Sequence, residues 1–228
     1  MQTHSFELFP DRGLIHIFLF SEVKNSSELR KRLLSHDTEL SYAFINARIL
    51  DVFQLLIAIN CALHNEKCSI LKTRNINSEI VYNLSPNTNI NEALRRFGIS
   101  DDSTNIIVVK VGGEANEIKS HLTSLIQGTE TSLENLFKFG DLGIIKKYYR
   151  VDNKVNDVKE ILNIIVGSMA VKIEITADPI SNPLLASGGC SVYFKKTLSK
   201  LIDKVVKEFG DKMILASITF GLNRSTAG

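Results

Sequence analysis

Leu14-Ile15-His16-Ile17-Phe18-Leu19-Phe20 is the stretch on which the fold turns. Ile15, Ile17 and Leu19 alternate along one face, while Phe18 and Phe20 fill the other, so a strand here is covered on both sides and lies centrally in its sheet. Pro10-Asp11-Arg12-Gly13 precedes it as a turn, and Phe6 and Leu8 continue the same period on the far side. Residues His4 to Leu8 and Leu14 to Phe20 therefore read as an opening hairpin. A third strand is expected at Ile106 to Val111, a β-branched run bounded by Asp101-Asp102-Ser103 and Gly112-Gly113.

Between and after these strands the apolar spacing becomes helical. Asn25 to Leu34 forms a short helix, and Asp51 caps a longer, broadly apolar one reaching His64. Ser78 to Leu84 makes another, with Glu79 near its positive end and Pro86 ending it. Asn89 caps a helix through Phe97 that stops at Gly98, whose permissive backbone suits a C-terminal cap, with Ile99 covering the end. Ile118, Leu122, Leu125 and Ile126 mark a further helix, followed by a turn or two at Leu133, Leu136 and Phe137; Leu142 to Tyr149 reads equally as helix or strand. Val158, Ile161, Leu162, Ile165, Val166 and Met169 form a nearly continuous stripe within a helix from Val155 to Met169.

Beyond it Val171, Ile173 and Ile175 alternate, and Pro179, Pro183 and Gly188-Gly189 mark a loop-rich passage. Thr197 then caps a helix reaching Phe209, before a strand from Met213 to Phe220. The expected class is α+β: a mixed two-layer domain with a mainly antiparallel sheet and packed helices over residues 1–172, followed by an α/β extension over residues 173–228.

With 228 residues, 44% of them hydrophobic and 23% charged, the chain can bury a sizeable core and is not a disordered polymer. Its 27 Lys and Arg against 25 Asp and Glu leave a formal +2, too little to imply nucleic-acid binding by charge alone. No apolar run is long enough for a membrane helix, the first residues lack the pattern of a secretory signal, and Cys61, Cys68 and Cys190 require no disulfide framework, so a reduced intracellular setting is expected.

Phosphate-loop, dinucleotide, zinc-protease and nucleophile-elbow signatures are absent. Gly112-Gly113-Glu114 could approach an anion, but lacks the Lys and Ser/Thr of a phosphate loop and reads as a turn. Cys61 and His64 are three apart on one helix, yet no second pair completes a metal site. Scattered carboxylates, Asp51, Glu66, Glu79, Asp101 and Asp102 among them, and the glycine-bearing connection at Gly112-Gly113 are the only hints of a small-molecule metabolic enzyme. No catalytic residue, cofactor or metal is therefore assigned. The basic residues are more suggestive: Lys67, Lys72 and Arg74 precede one helix, and Arg95 and Arg96 end the next, with Lys146, Lys147 and Arg150 as a further group. Each is either a set of phosphate contacts or a solvated helix face. The stripe from Val158 to Met169 likewise faces either an internal core or another protein.

Lys72-Thr73-Arg74, then Ser78-Glu79-Ile80-Val81-Tyr82-Asn83-Leu84-Ser85-Pro86-Asn87 and Ile90-Asn91-Glu92-Ala93-Leu94-Arg95-Arg96-Phe97-Gly98-Ile99-Ser100, resemble the PRPK-binding protein family, small subunits of the KEOPS/EKC complex. Phe6-Glu7-Leu8-Phe9-Pro10, Val23-Lys24-Asn25 and the run Asp51 to Asn60 keep the same order, and the resemblance covers about residues 1–172. It implies a noncatalytic adaptor that binds a PRPK-type atypical kinase/ATPase, in a complex that threonylcarbamoylates adenosine 37 of tRNA through another subunit. By the same resemblance Lys72, Arg74, Arg95 and Arg96 become candidates for tRNA contact, Val158, Ile161, Leu162 and Ile165 for kinase contact, and cytoplasm and nucleus the expected locations. The extension from residue 173 has no counterpart in that family pattern.

Overall fold

A computed structural model describes residues 1–177, with side chains through Lys172. The chain divides into two compact units, Met1–Arg150 and a second that begins at Val151.

The first unit is built on a five-stranded, wholly antiparallel sheet. Strand β2 (Leu14–Ser21) is central, as its two apolar faces require. Along one edge it pairs with β1 (Gln2–Ser5), Ser5 opposite Leu14, and further on with β5 (Thr129–Thr131), Leu19 opposite Thr131. Along the other it pairs with β4 (Ile106–Val111), Phe20 opposite Ile106, and β4 in turn carries β3 (Ala43–Asn46). The expected hairpin forms, but its first arm ends at Ser5 rather than Leu8. Phe6 to Phe9 are taken into the connection, where the Phe9 amide donates to the Phe6 carbonyl at 2.9 Å and Pro10–Arg12 make a 3-10 turn.

Phe18, Phe20, Phe44, Ile106 and Val108 pack on one face with Leu29 of α1 (Ser26–Leu34) and with Ile118 and Leu122 of α5 (Ala115–Leu125). On the opposite face Ile17, Leu19, Ile45, Ile107 and Val109 are also buried, and α3 (Ile76–Asn83) and α4 (Ile90–Phe97) lie against β3. Burial of this many branched and aromatic side chains is the main stabilising term, about 1.5–3 kcal/mol for each large side chain fully removed from water. The α+β class and antiparallel sheet agree with the sequence reading, and helices cover both faces of the sheet.

Helix starts follow local chemistry. The Asp51 carboxylate accepts the Phe53 amide at 2.7 Å to open α2 (Val52–Lys67), and the Asn89 side chain accepts the Glu92 amide at 3.0 Å to open α4. The stretch left ambiguous is helix α6 (Leu142–Tyr149), because Asp141 caps it through the Ile144 amide at 3.0 Å and Arg150 closes it with φ +55°. Gly98 has a different role from the one expected. Its backbone is extended, at φ −72°, and a Cβ there would stand 2.5 Å from the Leu94 carbonyl oxygen. Glycine is required by close approach of the α4 end, not by a left-handed turn.

In the second unit α7 (Val158–Ala177) starts where the Asp157 carboxylate accepts the Lys159 amide at 3.1 Å. It continues through Val171, Ile173 and Ile175, so the period-two alternation noted there is overridden by the helix begun upstream. The expected helix capped by Thr197 and the strand Met213 to Phe220 lie outside the described residues.

Candidate nucleic-acid and partner-binding surfaces

Lys72 and Arg74 are exposed in the loop between α2 and α3. The loop is held from beneath by Glu79, a fully buried side chain of α3. One carboxylate oxygen accepts the Lys72 amide at 3.1 Å, the Thr73 amide at 2.9 Å and the Thr73 hydroxyl at 2.8 Å; the other accepts the Asn65 side-chain amide at 2.8 Å. Asn75 takes the Ser78 amide at 2.9 Å, capping α3. With the Lys72 and Thr73 amides turned inward and Ser78 capped, the loop offers an anion its Lys72 ammonium and Arg74 guanidinium rather than these amides. Arg74 also donates to Nε2 of His36, tying the loop to the turn after α1.

Arg95 and Arg96 occupy the last turn of α4, favourably placed at its negative end. Arg95 is exposed, whereas Arg96 is partly buried: it pairs with Glu92 one turn earlier, and its guanidinium carbon stands 4.9 Å from the Tyr148 ring centroid. Phe97 joins the group, its ring 5.6 Å from Tyr148 and 5.9 Å from Tyr149. The end of α4 and the end of α6 thus meet through Arg96, Phe97, Tyr148 and Tyr149, with Arg95 exposed on the one helix and Lys147 and Arg150 exposed at the end of the other. Lys146, grouped with them in sequence, is buried. The sequence reading found no aromatic partner for the cations because Tyr148 and Arg96 come together only through packing of α6 on α4.

Tyr149 anchors that junction. Its hydroxyl donates to the Leu84 carbonyl and accepts from the Gln54 amide at 2.6 Å, while the Gln54 carbonyl accepts the Leu50 amide at 3.1 Å. Complete burial drives the phenol upward from its usual range, partly offset by the Gln54 hydrogen bond.

The four residues on α7 divide by exposure. Val158 is half exposed and Leu162 partly so, while Ile161 and Ile165 are fully buried, in register with buried Met169. Partner contact through α7 is therefore open first to Val158 and Leu162.

The remaining candidates resolve into packing. Gly112 and Gly113 have φ +71° and +91°, and the Gly113 carbonyl accepts from buried His16 Nε2 at 3.2 Å, leaving Nδ1 to take the Thr3 hydroxyl at 3.2 Å. His121 Nδ1 accepts the Tyr42 hydroxyl at 2.6 Å, and His64 Nε2 stands 3.6 Å from Cys68 Sγ. Cys61 is buried. Among the described residues no three His, Cys, Asp or Glu side chains converge as a metal site, and no helix is long and apolar enough to cross a membrane.

An antiparallel α+β domain with cationic loops and a partly exposed apolar helix has the character of a binding module. Residues 20–173 match the family described as kinase binding protein CGI-121, and the chain belongs to that family. It is 36% identical over 163 residues, 69% of this chain and 93% of the relative, to the EKC/KEOPS complex subunit CGI121 of Yarrowia lipolytica. It is also 36% identical over 172 residues, 75% of this chain and 97% of the relative, to the EKC/KEOPS complex subunit TPRKB of Danio rerio. The EKC/KEOPS complex subunit cgi121 of Aspergillus fumigatus is 35% identical over 182 residues, 75% and 96% of the two chains.

Proposed function

We propose that this chain is a noncatalytic adaptor of an EKC/KEOPS complex that binds a PRPK-type atypical kinase and helps recruit tRNA for threonylcarbamoylation of adenosine 37. The observation that carries the reading is the family match across residues 20–173, joined to relatives named as subunits of that complex and spanned almost end to end.

Kinase docking is assigned to α7, with Val158 and Leu162 reaching the partner and Ile161 and Ile165 holding the helix that presents them. Apolar contact there supplies affinity, and the polar rim supplies orientation. Lys72, Arg74, Arg95 and Arg96 are assigned to tRNA phosphates, an attraction that depends on salt and hardly on sequence. The domain from residue 1 to 172 does this work, and the chain acts in cytoplasm and nucleus.

The test is a reconstituted threonylcarbamoylation reaction containing the kinase, the transferase subunit, threonylcarbamoyl-adenylate and tRNA, run with and without the full chain. The adaptor reading expects faster modification when the chain is added and no turnover by the chain alone. Turnover by the isolated chain, or no effect of adding it, contradicts the reading.

A further inference from the structure

The best-defined polar arrangement outside the apolar core is the one around Glu79, and it bears directly on the cations above it. We infer that Glu79 is a positioning residue: its buried carboxylate fixes the backbone of Lys72 and Thr73 so that the Lys72 and Arg74 side chains are presented together to an anionic partner. The inference rests on the reading of that loop as a tRNA contact.

Three observations support it. A carboxylate with no exposed surface is costly unless its oxygens are satisfied, and here four donors converge on it, three from Lys72 and Thr73 and one from Asn65 on α2. These bonds reach from the middle of one helix to the loop and to a second helix, so they fix the loop relative to both. The contacts are also directional. Consecutive amides, Lys72 and Thr73, point at the same oxygen, which turns that backbone edge inward while Lys72 and Arg74 stay exposed. A pair of cations held on a fixed backbone loses less freedom on binding than the same pair on a mobile loop.

Substitution separates positioning from mere stability. Glu79→Gln can keep its carbonyl oxygen on Lys72 and Thr73 and direct its amide toward Asn65, whose side chain can turn to present oxygen. Glu79→Ala leaves all four donors without that acceptor. Both variants of the full chain, with Lys72→Ala, Arg74→Ala and the combination Glu79→Ala with Lys72→Ala, are read by amide hydrogen exchange and by filter binding of tRNA across a salt series.

Glu79→Ala is expected to speed exchange at the Lys72 and Thr73 amides about tenfold or more, while β2 and β4 keep their protection. It should also lower the slope of log affinity against log salt by about 1 to 2, with little further loss on adding Lys72→Ala. Glu79→Gln should retain most of the binding. Unchanged exchange at Lys72 and Thr73 overturns the positioning role. Faster exchange with full tRNA affinity, where Lys72→Ala itself weakens binding, overturns it as well. If Lys72→Ala and Arg74→Ala both leave tRNA affinity intact, the assignment of the loop to RNA fails first and the clamp's purpose with it.

Discussion

The Arg96 guanidinium lies 4.9 Å from the centre of the Tyr148 ring, which joins the last turn of α4 to the last turn of α6. The contact sets the partly exposed Tyr148 ring against a cation that ends α4. A nucleotide at such a site gains from stacking as well as from charge, and stacking on an aromatic side chain contributes about 1–3 kcal/mol per base. Tyr148→Ala is therefore expected to weaken tRNA binding by roughly fivefold to a hundredfold, with the salt slope unchanged. Arg95→Ala should instead lower the slope by about 1. Filter binding at several salt concentrations distinguishes the two; a changed slope in Tyr148→Ala would count against stacking.

Tyr149 is one residue away but has a different role. Replacing it by Phe leaves the Leu84 carbonyl without its donor and the Gln54 amide without its acceptor, both buried. Stranding such groups costs about 1–3 kcal/mol. Denaturant unfolding of Tyr149→Phe should give a lower midpoint by that amount with an unchanged slope, and an unchanged midpoint would refute the relay.

Gly98→Ala tests whether close approach, rather than backbone conformation, selects glycine. The added methyl would meet the Leu94 carbonyl oxygen at 2.5 Å, which forces the end of α4 to shift. A loss of about 1–3 kcal/mol is expected. Because Ala is otherwise comfortable at φ −72°, a neutral result in thermal unfolding would show that the helix end yields freely.

His64 gives stability a pH dependence. Burial first, and the nearby Lys67 charge second, lower its pKa from 6.5 to about 4. Between those values the unfolded chain binds a proton that the folded chain refuses. Stability from this group is complete above about 6.5 and is lost as the pH falls toward about 4, roughly 3 kcal/mol at most. Urea unfolding from pH 7 to 4 should show this decline, and His64→Gln should flatten it; equal slopes in the two proteins would contradict the assignment.

Much of the fold was legible because its signals are local. The two faces of Leu14 to Phe20, the β-branched run Ile106 to Val111 and the caps Asp51 and Asn89 all led to the observed elements. Strand β3 was missed because Ala43-Phe44-Ile45-Asn46 is buried throughout and so has no alternation to read. Strand β5, three polar residues, exists only through its pairing with β2. The candidate cations were visible as residue types, but what arranges them was not. Glu79 was read as a helix-end charge and is instead the acceptor for the loop before it, and Tyr148 meets Arg96 only after α6 packs on α4. On α7 the apolar stripe was evident, whereas the division between buried Ile161 and Ile165 and more exposed Val158 and Leu162 depends on packing.

That division identifies the most direct measurement. Calorimetric titration of a purified PRPK-type kinase into the full chain should give saturable binding, and Val158→Asp combined with Leu162→Asp should weaken it at least tenfold while the chain keeps its far-ultraviolet circular dichroism. No binding by the folded wild-type chain, or undiminished affinity in the folded double variant, would contradict kinase docking through α7.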